Sequence, residues 1–260
     1  MARTSDVIER FPDAATLAAA AADAFLAAAL SAVAATGRFT VALSGGATPT
    51  RLQALLATEP YASRVPWSAV QVFWGDERCV PADHAESNFG AARQVLLDRV
   101  PLPRANLHRI RGEDRPAMAA MRYEDELRRT FSTPSGAPRT ILGARFDLVF
   151  LGLGIDGHTA SLFPGLQAVR EAAKWVVAEY VESVHLSRVT LTPVMFNAAA
   201  EVIFLVAGAE KREILSRVLG PVRDTNLLPA QAIAPIGGRL RWFADSAAAA
   251  GISSVAPGTD

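Results

Sequence analysis

Short apolar runs, each followed by glycine or proline, constrain the fold of this chain more than any other feature. The runs do not alternate between apolar and polar residues, and 202–206 (Val-Ile-Phe-Leu-Val) is apolar throughout. Such runs are typical of strands that are buried on both faces, as in a parallel sheet covered by helices. The sequence therefore predicts strands at 39–43, 70–74, 146–151, 175–180, 189–191 and 202–206.

Helical patterns lie between these runs. Examples are Leu52/Leu55/Leu56 after the first strand and Ile214/Leu215/Val218 after a later one. Alternating strands and helices imply right-handed crossovers, which predicts a Rossmann-like, doubly wound α/β fold with a mostly parallel sheet and helices on both faces. We expect a single domain over 1–260, with room for a small subregion around 110–140. The segment 132–138 is predicted to be a loop, and a junction between two halves of the chain is a second interpretation of it.

The alanine-rich segment 14–35 predicts a long helix. Asp13 is placed to cap its start and Gly37 to end it. Leu26, Leu30 and Val33 share one face at helical spacing, which favours a packed amphipathic helix. A membrane or targeting segment is the less favoured alternative, because no Lys/Arg-rich leader comes before the run.

The overall charge balance makes nucleic acid and anionic membranes poor candidates as partners. Lys plus Arg and Asp plus Glu number 26 each, so any anion site must be local. Cys79 is the one cysteine, which excludes an internal disulfide and a zinc cluster of the usual cysteine spacing. A free thiol suits the reducing cytoplasm, where we expect the protein to act.

Residues 43–49 (Leu-Ser-Gly-Gly-Ala-Thr-Pro) form the first candidate site. A strand ends, two glycines turn the chain, and a helix is predicted to begin with Thr48 as its cap. Free backbone N–H groups near Ser44, Gly45 and Gly46 would then meet the positive end of the helix, which suits a phosphate. An ordinary strand-to-helix turn is the alternative.

Residues 151–159 (Leu-Gly-Leu-Gly-Ile-Asp-Gly-His-Thr) form the second candidate site. The glycines allow the backbone to approach a ligand closely. Asp156 is the fifth residue of 152–157 (Gly-Leu-Gly-Ile-Asp-Gly), where an acidic side chain would repel a pyrophosphate, which argues against a dinucleotide fingerprint. Asp156, two residues before His158, instead indicates an oriented general base. A structural histidine is the alternative.

Three further segments place charged residues near strand ends. Asp76 and Arg78 follow a predicted strand, where open α/β sheets bind ligands, although a solvated loop is the simpler interpretation. Lys211 falls in the first turn of a predicted helix, where the helix dipole disfavours a cation unless an anion binds. If no anion binds, the negative charge of Glu210 would offset the positive charge of Lys211. Arg188 begins a strand that ends before Thr192-Pro193. A surface arginine at the start of a strand is the alternative interpretation.

These segments, in this order, resemble the 6-phosphogluconolactonase family, which is similar to the glucosamine-6-phosphate isomerases and deaminases. The resemblance runs from about residue 40 to 241. It rests on 44–49, 74–78 with Ser87-Asn88, 152–159, 188–192 and 207–211.

The resemblance implies a metal-free, cofactor-free hydrolysis of 6-phospho-D-glucono-1,5-lactone to 6-phosphogluconate, the second step of the oxidative pentose phosphate pathway. It implies that His158 is the base. It places Ser44, Thr48, Arg188 and Lys211 around the phosphate, and Asp76 and Arg78 near the sugar and its reacting end. We expect a small-molecule substrate and a monomer or homodimer. Whether Asp156 or Asp76 orients His158 stays open at this stage.

One difference separates the two branches of this family. The deaminases carry a glutamate five positions after the motif histidine, where this chain has Phe163. A phenyl ring cannot relay protons, so the sequence favours lactone hydrolysis over ring opening and deamination. A sugar-phosphate sensor would need a DNA-binding module, and no basic helix-turn-helix comes before the sheet. The glycine spacing at 152–157 counts against a nicotinamide-dependent dehydrogenase.

Overall fold

A seven-stranded parallel sheet forms the centre of the molecule. The computed structural model describes residues 7–131 and 145–252, and the predicted loop at 132–138 lies outside these ranges. The strands of the main sheet occur in the order β1, β10, β9, β6, β2, β3, β5, and all of its neighbours are parallel. They are β1 (Val7–Phe11), β2 (Phe39–Leu43), β3 (Val70–Trp74), β5 (Leu107–His108), β6 (Leu148–Gly152), β9 (Glu201–Val206) and β10 (Arg239–Asp245).

The central strands are buried on both faces, as their apolar sequences predicted. Every residue of β2 and β9 is buried. Since successive side chains of a strand point to opposite faces, both faces of the sheet are covered. The helices are α1 (Ala14–Thr36), α2 (Ala47–Leu56), α3 (Tyr61–Arg64), α4 (Asn88–Ala92), α5 (Pro116–Thr130), α6 (Pro193–Ala198) and α7 (Arg212–Leu219). The predicted α/β fold with a mostly parallel sheet is confirmed.

A second, antiparallel sheet contains two strands that the sequence analysis had assigned to the main one. β4 (Asp76–Arg78), β8 (Leu186–Leu191) and β7 (Val176–Val181) pair in that order. The predicted strands at 175–180 and 189–191 are therefore real, but their assignment to the main sheet was wrong. β7 keeps only its two ends buried, a pattern that differs from the fully buried β2 and β9.

The alanine-rich segment forms α1, although it buries a different face from the predicted one. Asp13 caps its start by accepting the N–H of Thr16, and Gly37 ends it in the left-handed conformation. Leu17, Ala21, Phe25 and Ala29 face the interior with Leu26, whereas Leu30 is 46% exposed. The prediction that Leu30 shares the packed face was wrong, because the small alanines, and not the leucines alone, form the surface that fits the core.

The length and apolar composition of α1 alone are compatible with a membrane span. In the structure, α1 packs against α2 and against the sheet strands β1, β2 and β10. Helices that pack into a protein core can have the same length and apolar composition. Packing against these elements therefore explains the apolar composition of α1.

Gly37 provides a test of how α1 ends. Its φ is +78° and, apart from its two chain neighbours, no described residue places an atom within 4 Å of a Cβ built there. A side chain would therefore meet backbone strain but no clash, and Gly37→Ala is expected to lower the free energy of unfolding by about 1 kcal/mol. Gly37→Asn should cost less, since asparagine tolerates this conformation. Urea denaturation measures both values, and equal stability of all three proteins would contradict the capping role.

The strand order positions a crevice at one edge of the main sheet. From β2 the chain continues to β3 on one side, while β6, β9 and β10 lie on the other. The strand order thus changes direction between β2 and β6, the point at which open α/β sheets bind ligands beyond their carboxyl ends. The loops that carry most of the predicted site residues follow β2, β3, β6 and β9.

Candidate active site

The turn after β2 forms an uncapped helix start. Gly46 is the N-cap of α2 with φ +100°, and no side chain caps the helix, so the first N–H groups are free to meet a ligand. Thr48 lies one residue inside α2, and its prediction as the cap was wrong, because Gly46 adopts a conformation that other residues avoid. The hydroxyl of Ser44 donates to the carbonyl of Phe150 at 2.8 Å, which ties the turn to β6.

Asn88 lies directly against Gly45. A Cβ built on Gly45 would be 1.8 Å from Oδ1 of Asn88, so only glycine allows this approach. Nδ2 of Asn88 donates to the backbone oxygen of Asp76 at 2.9 Å and lies 3.3 Å from its Oδ1. The sequence analysis quoted Asn88 but gave it no role. The structure shows that it links the turn after β2 to β4.

His158 and Asp156 form a direct pair. Nδ1 of His158 lies 2.6 Å from Oδ1 of Asp156, which also accepts the backbone N–H of His158 at 3.1 Å. Burial acts to raise the pKa of Asp156, but the hydrogen bond and the charge interaction with His158 outweigh it and hold that pKa below its ordinary value of 3.8. At neutral pH, Asp156 is therefore an ionised acceptor that fixes one nitrogen of the ring and leaves Nε2 for a ligand.

Asp76 is buried and does not contact His158. Its Oδ2 accepts the hydroxyl of Ser161 at 2.6 Å and lies 4.0 Å from Nη1 of Arg188. Between the two carboxylates that the sequence left open, the geometry selects Asp156 as the partner of the imidazole. Asp76 instead connects the loop of His158, through Ser161, to the arginine on β8.

Glu77 shows that the segment after β3 is not a solvated loop. It is buried and accepts the backbone N–H groups of Arg78, Asn88 and Phe89 at 2.7–2.8 Å. Burial raises the pKa of Glu77, and these hydrogen bonds act in the opposite direction. Its carboxylate therefore holds the start of α4 against β4, which in turn places Asn88 at the site.

Arg78 and Arg188 face each other across the β4–β8 pair. Like charges directly opposite each other destabilise an antiparallel pair. Arg188 is only 8% exposed, and the Nε atoms of both arginines are buried without a hydrogen-bond partner among the described residues. Burial lowers the pKa of Arg188, Asp76 acts to raise it, and Arg78 lowers it further. A bound anion would relieve both the repulsion and the missing hydrogen bonds.

Lys211 extends from the end of the loop after β9. It is the last residue of a 3-10 turn (Ala209–Lys211) and immediately precedes α7. Within 7–131 and 145–252, the side-chain ammonium of Lys211 has no hydrogen bond or ion pair, and Glu210 does not pair with it, although the backbone N–H of Lys211 donates to the oxygen of Gly208 at 3.0 Å. The buried Asp245 accepts the N–H of Gly208 at 3.0 Å, which fixes this loop at the end of β10.

A single cavity of about 340 Å³ brings these groups together. Nine of the ten residues that the sequence analysis selected line it, and the tenth, Asp156, stands behind the imidazole of His158. Asn88, Ala160 and Glu210 also line it, and none of them had been predicted to bind a ligand. Three larger cavities in the described part of the chain contain none of the predicted site residues. The lining is Ser44, Gly45, Gly46, Ala47, Thr48, Pro49, Asp76, Arg78, Asn88, Gly152, Leu153, Gly154, His158, Ala160, Arg188, Leu205, Ala207, Glu210 and Lys211.

The other three histidines do not line the 340 Å³ cavity. His108 stacks on Phe73 at 4.2 Å and lies 2.7 Å from Glu126. Neither His84 nor His185 lines the 340 Å³ cavity. Within the described part of the chain, no group of three or more histidine, cysteine, aspartate or glutamate side chains is arranged to hold a metal ion.

Comparison with known proteins identifies the family. The family of glucosamine-6-phosphate isomerases/6-phosphogluconolactonase matches residues 12–242. The chain belongs to this family. A 6-phosphogluconolactonase of a Nostoc species is 40% identical over 247 residues, which cover 95% of this chain and 98% of the relative. A 6-phosphogluconolactonase of Haemophilus influenzae is 36% identical over 80% of this chain and 85% of the relative.

Solved structures agree with this relationship. The 6-phosphogluconolactonase from Trypanosoma cruzi superposes with a TM-score of 0.84 at 28% identity, covering 97% of this chain and 98% of that one. The chain is therefore an enzyme of this family, and its relatives at 36–40% identity are named as lactone hydrolases.

Proposed function

We propose that this enzyme hydrolyses 6-phospho-D-glucono-1,5-lactone to 6-phosphogluconate, with His158 as the base. One observation carries the proposal: a single cavity contains an uncapped helix start, the cations Arg188 and Lys211, and an imidazole held by a carboxylate. The names of the relatives support lactone hydrolysis in the pentose phosphate pathway. The assignment of roles to individual residues is our own.

The substrate phosphate would lie at the start of α2, near Ser44 and Thr48. The N–H groups of this turn would donate to its oxygens, and Arg188 and Lys211 would neutralise its charge. Anchoring the phosphate fixes the far end of the sugar and so positions C1 beside His158.

Hydrolysis then needs one base and one stabilised oxyanion. Nε2 of His158 takes a proton from water as the water oxygen bonds to C1, and Asp156 stabilises the resulting imidazolium. Arg78 is our candidate donor to the oxyanion, since its Nε lacks a partner within the described ranges. The bond between C1 and the ring oxygen breaks, and the imidazolium returns its proton to that oxygen.

Phe163 supports the lactonase assignment against the related deaminase reaction. Its ring stacks on His158 at 4.1 Å, so an apolar group occupies the position where the family resemblance implies a glutamate in the deaminases. No carboxylate is then available from residue 163 to protonate a ring oxygen.

The free thiol of Cys79, whose pKa burial raises to about 11, fits our expectation of a cytoplasmic enzyme.

The direct test is a pH-stat assay with freshly prepared 6-phosphogluconolactone, corrected for spontaneous opening. We expect acid release at a rate proportional to enzyme concentration, and no ammonia release from glucosamine 6-phosphate. An unchanged rate of lactone opening on adding the enzyme would refute the proposal. Ammonia production would place the chain in the deaminase branch instead.

A further inference from the structure

Phe163 is buried between two of the proposed functional groups. It is 6% exposed. Its ring centroid lies 4.1 Å from that of the His158 imidazole with an interplanar angle of 25°, which is a stacked pair. The guanidinium carbon of Arg188 lies 5.5 Å from the same ring. The phenyl ring therefore contacts the imidazole closely and the guanidinium more loosely.

The loop that carries Phe163 is fixed on both sides. Thr159 and Leu162 form an isolated antiparallel bridge, and the hydroxyl of Thr159 donates to the oxygen of Gly152 at 2.8 Å. After the ring, the N–H of Gly165 donates to the oxygen of Asn226 at 2.9 Å. These bonds hold the backbone around Phe163 and so limit the positions that its ring can take.

The imidazole itself is confined on three sides. Asp156 binds Nδ1 at 2.6 Å. A Cβ built on Gly154 would lie 2.1 Å from Nδ1 and 2.3 Å from Cε1, so the backbone of Gly154 closes that edge of the ring. Phe163 covers one face. The bond to Asp156 and the backbone of Gly154 hold one edge of the ring, and the stack on Phe163 opposes tilting of the ring plane.

We infer that Phe163 is a positioning residue, which holds the plane of the His158 imidazole so that Nε2 points at the attacking water. This inference rests on the proposed function of His158. Misplacing a reacting group by about 1 Å can lower a rate by about 10²-fold. The stack also favours the protonated ring that forms during the reaction, because a cation is attracted to an aromatic face.

The test compares Phe163→Leu, which removes the aromatic face, with Phe163→Tyr, which keeps it. We expect Phe163→Leu to lower kcat by at least about tenfold with little change in KM, and Phe163→Tyr to retain most of kcat. Phe131→Leu is the matched control, since Phe131 is equally buried but stacks on Phe73, away from the cavity. It should lower thermal stability without lowering kcat.

Proton NMR of the His158 ring gives a readout that loss of stability would not change. A stacked phenyl ring shifts the imidazole protons upfield, so these resonances, assigned with His158→Gln, should move downfield in Phe163→Leu and stay in place in Phe163→Tyr. A rise in KM at constant kcat would mean that Phe163 acts through Arg188 and would overturn the inference. Unchanged kcat together with unchanged His158 ring resonances in Phe163→Leu would also overturn the inference. Absence of lactonase activity in the unmodified enzyme would instead refute the proposed function.

Discussion

His158→Ala is expected to lower kcat for lactone hydrolysis by about 10²–10⁴-fold, the usual contribution of a general base. The imidazole lines the cavity with its side chain 30% exposed, and Asp156 already binds Nδ1. Removing the ring therefore removes the proposed proton acceptor, which is oriented before substrate arrives. KM should change much less, because the residues that we propose to bind the phosphate lie on other loops. Initial rates over a range of lactone concentrations separate the two parameters.

His185→Ala is the matched control for this experiment. His185 is a histidine with a side chain that is 78% exposed, and it does not line the cavity. Its replacement should leave kcat unchanged. Asp156→Asn should also lower kcat, because an amide can stabilise the wrong tautomer of the ring and cannot stabilise the imidazolium. Near-normal turnover of His158→Ala would remove His158 from the role of base.

Arg188→Ala is expected to weaken substrate binding by about 10–150-fold, with a smaller effect on kcat. A charge-assisted hydrogen bond contributes about 1.5–3 kcal/mol, and the buried guanidinium of Arg188 makes no hydrogen bond among the described residues, where the nearest carboxylate oxygen, of Asp76, is 4.0 Å away. Its full hydrogen-bonding capacity is thus left for a ligand. Calorimetric titration with the product, 6-phosphogluconate, measures binding independently of turnover.

Two variants define what Arg188 contributes. Arg188→Lys should give an intermediate affinity, since lysine keeps the charge but loses the planar pair of donors. Arg217→Ala, which removes an exposed arginine from α7, should bind product normally. Unchanged affinity in Arg188→Ala would show that the phosphate binds elsewhere. Thermal denaturation of all three variants checks that the β4–β8 pair remains folded.

The sequence identified the central strands of the main sheet but missed β1 and β10 on one side of it and the two-residue β5 on the other. The bounds of β2 and β3 agree with the predicted 39–43 and 70–74. β1 and β10 were missed because charged residues interrupt them. In the structure those charges compensate each other: Arg241 on β10 binds Glu9 on β1 at 2.6 Å and Glu201 on β9 at 3.1 Å. A search for continuous apolar runs cannot find strands whose charges pair only across the sheet.

The site residues could be selected from the sequence because the patterns that mark them extend over only a few residues. Glycines after an apolar run mark a strand end, and the carboxyl ends of parallel strands meet at one edge. Ser161 was not found, because its hydroxyl acts on Asp76, which is 85 residues away. Asn88 was quoted without a role for the same reason, since its amide and Gly45 meet only in the folded chain.

By itself, the sequence determined the α/β class, the positions of the strand-end loops and the types of functional side chain that these loops carry. Apolar runs and the glycines that follow them are local patterns, which can be recognised within a few residues. Only the tertiary structure decided which carboxylate holds the imidazole, which face of α1 is buried, and that Arg78 and Arg188 lie opposite each other. Those outcomes depend on strand register and side-chain packing, and both are set by contacts between residues far apart in the chain.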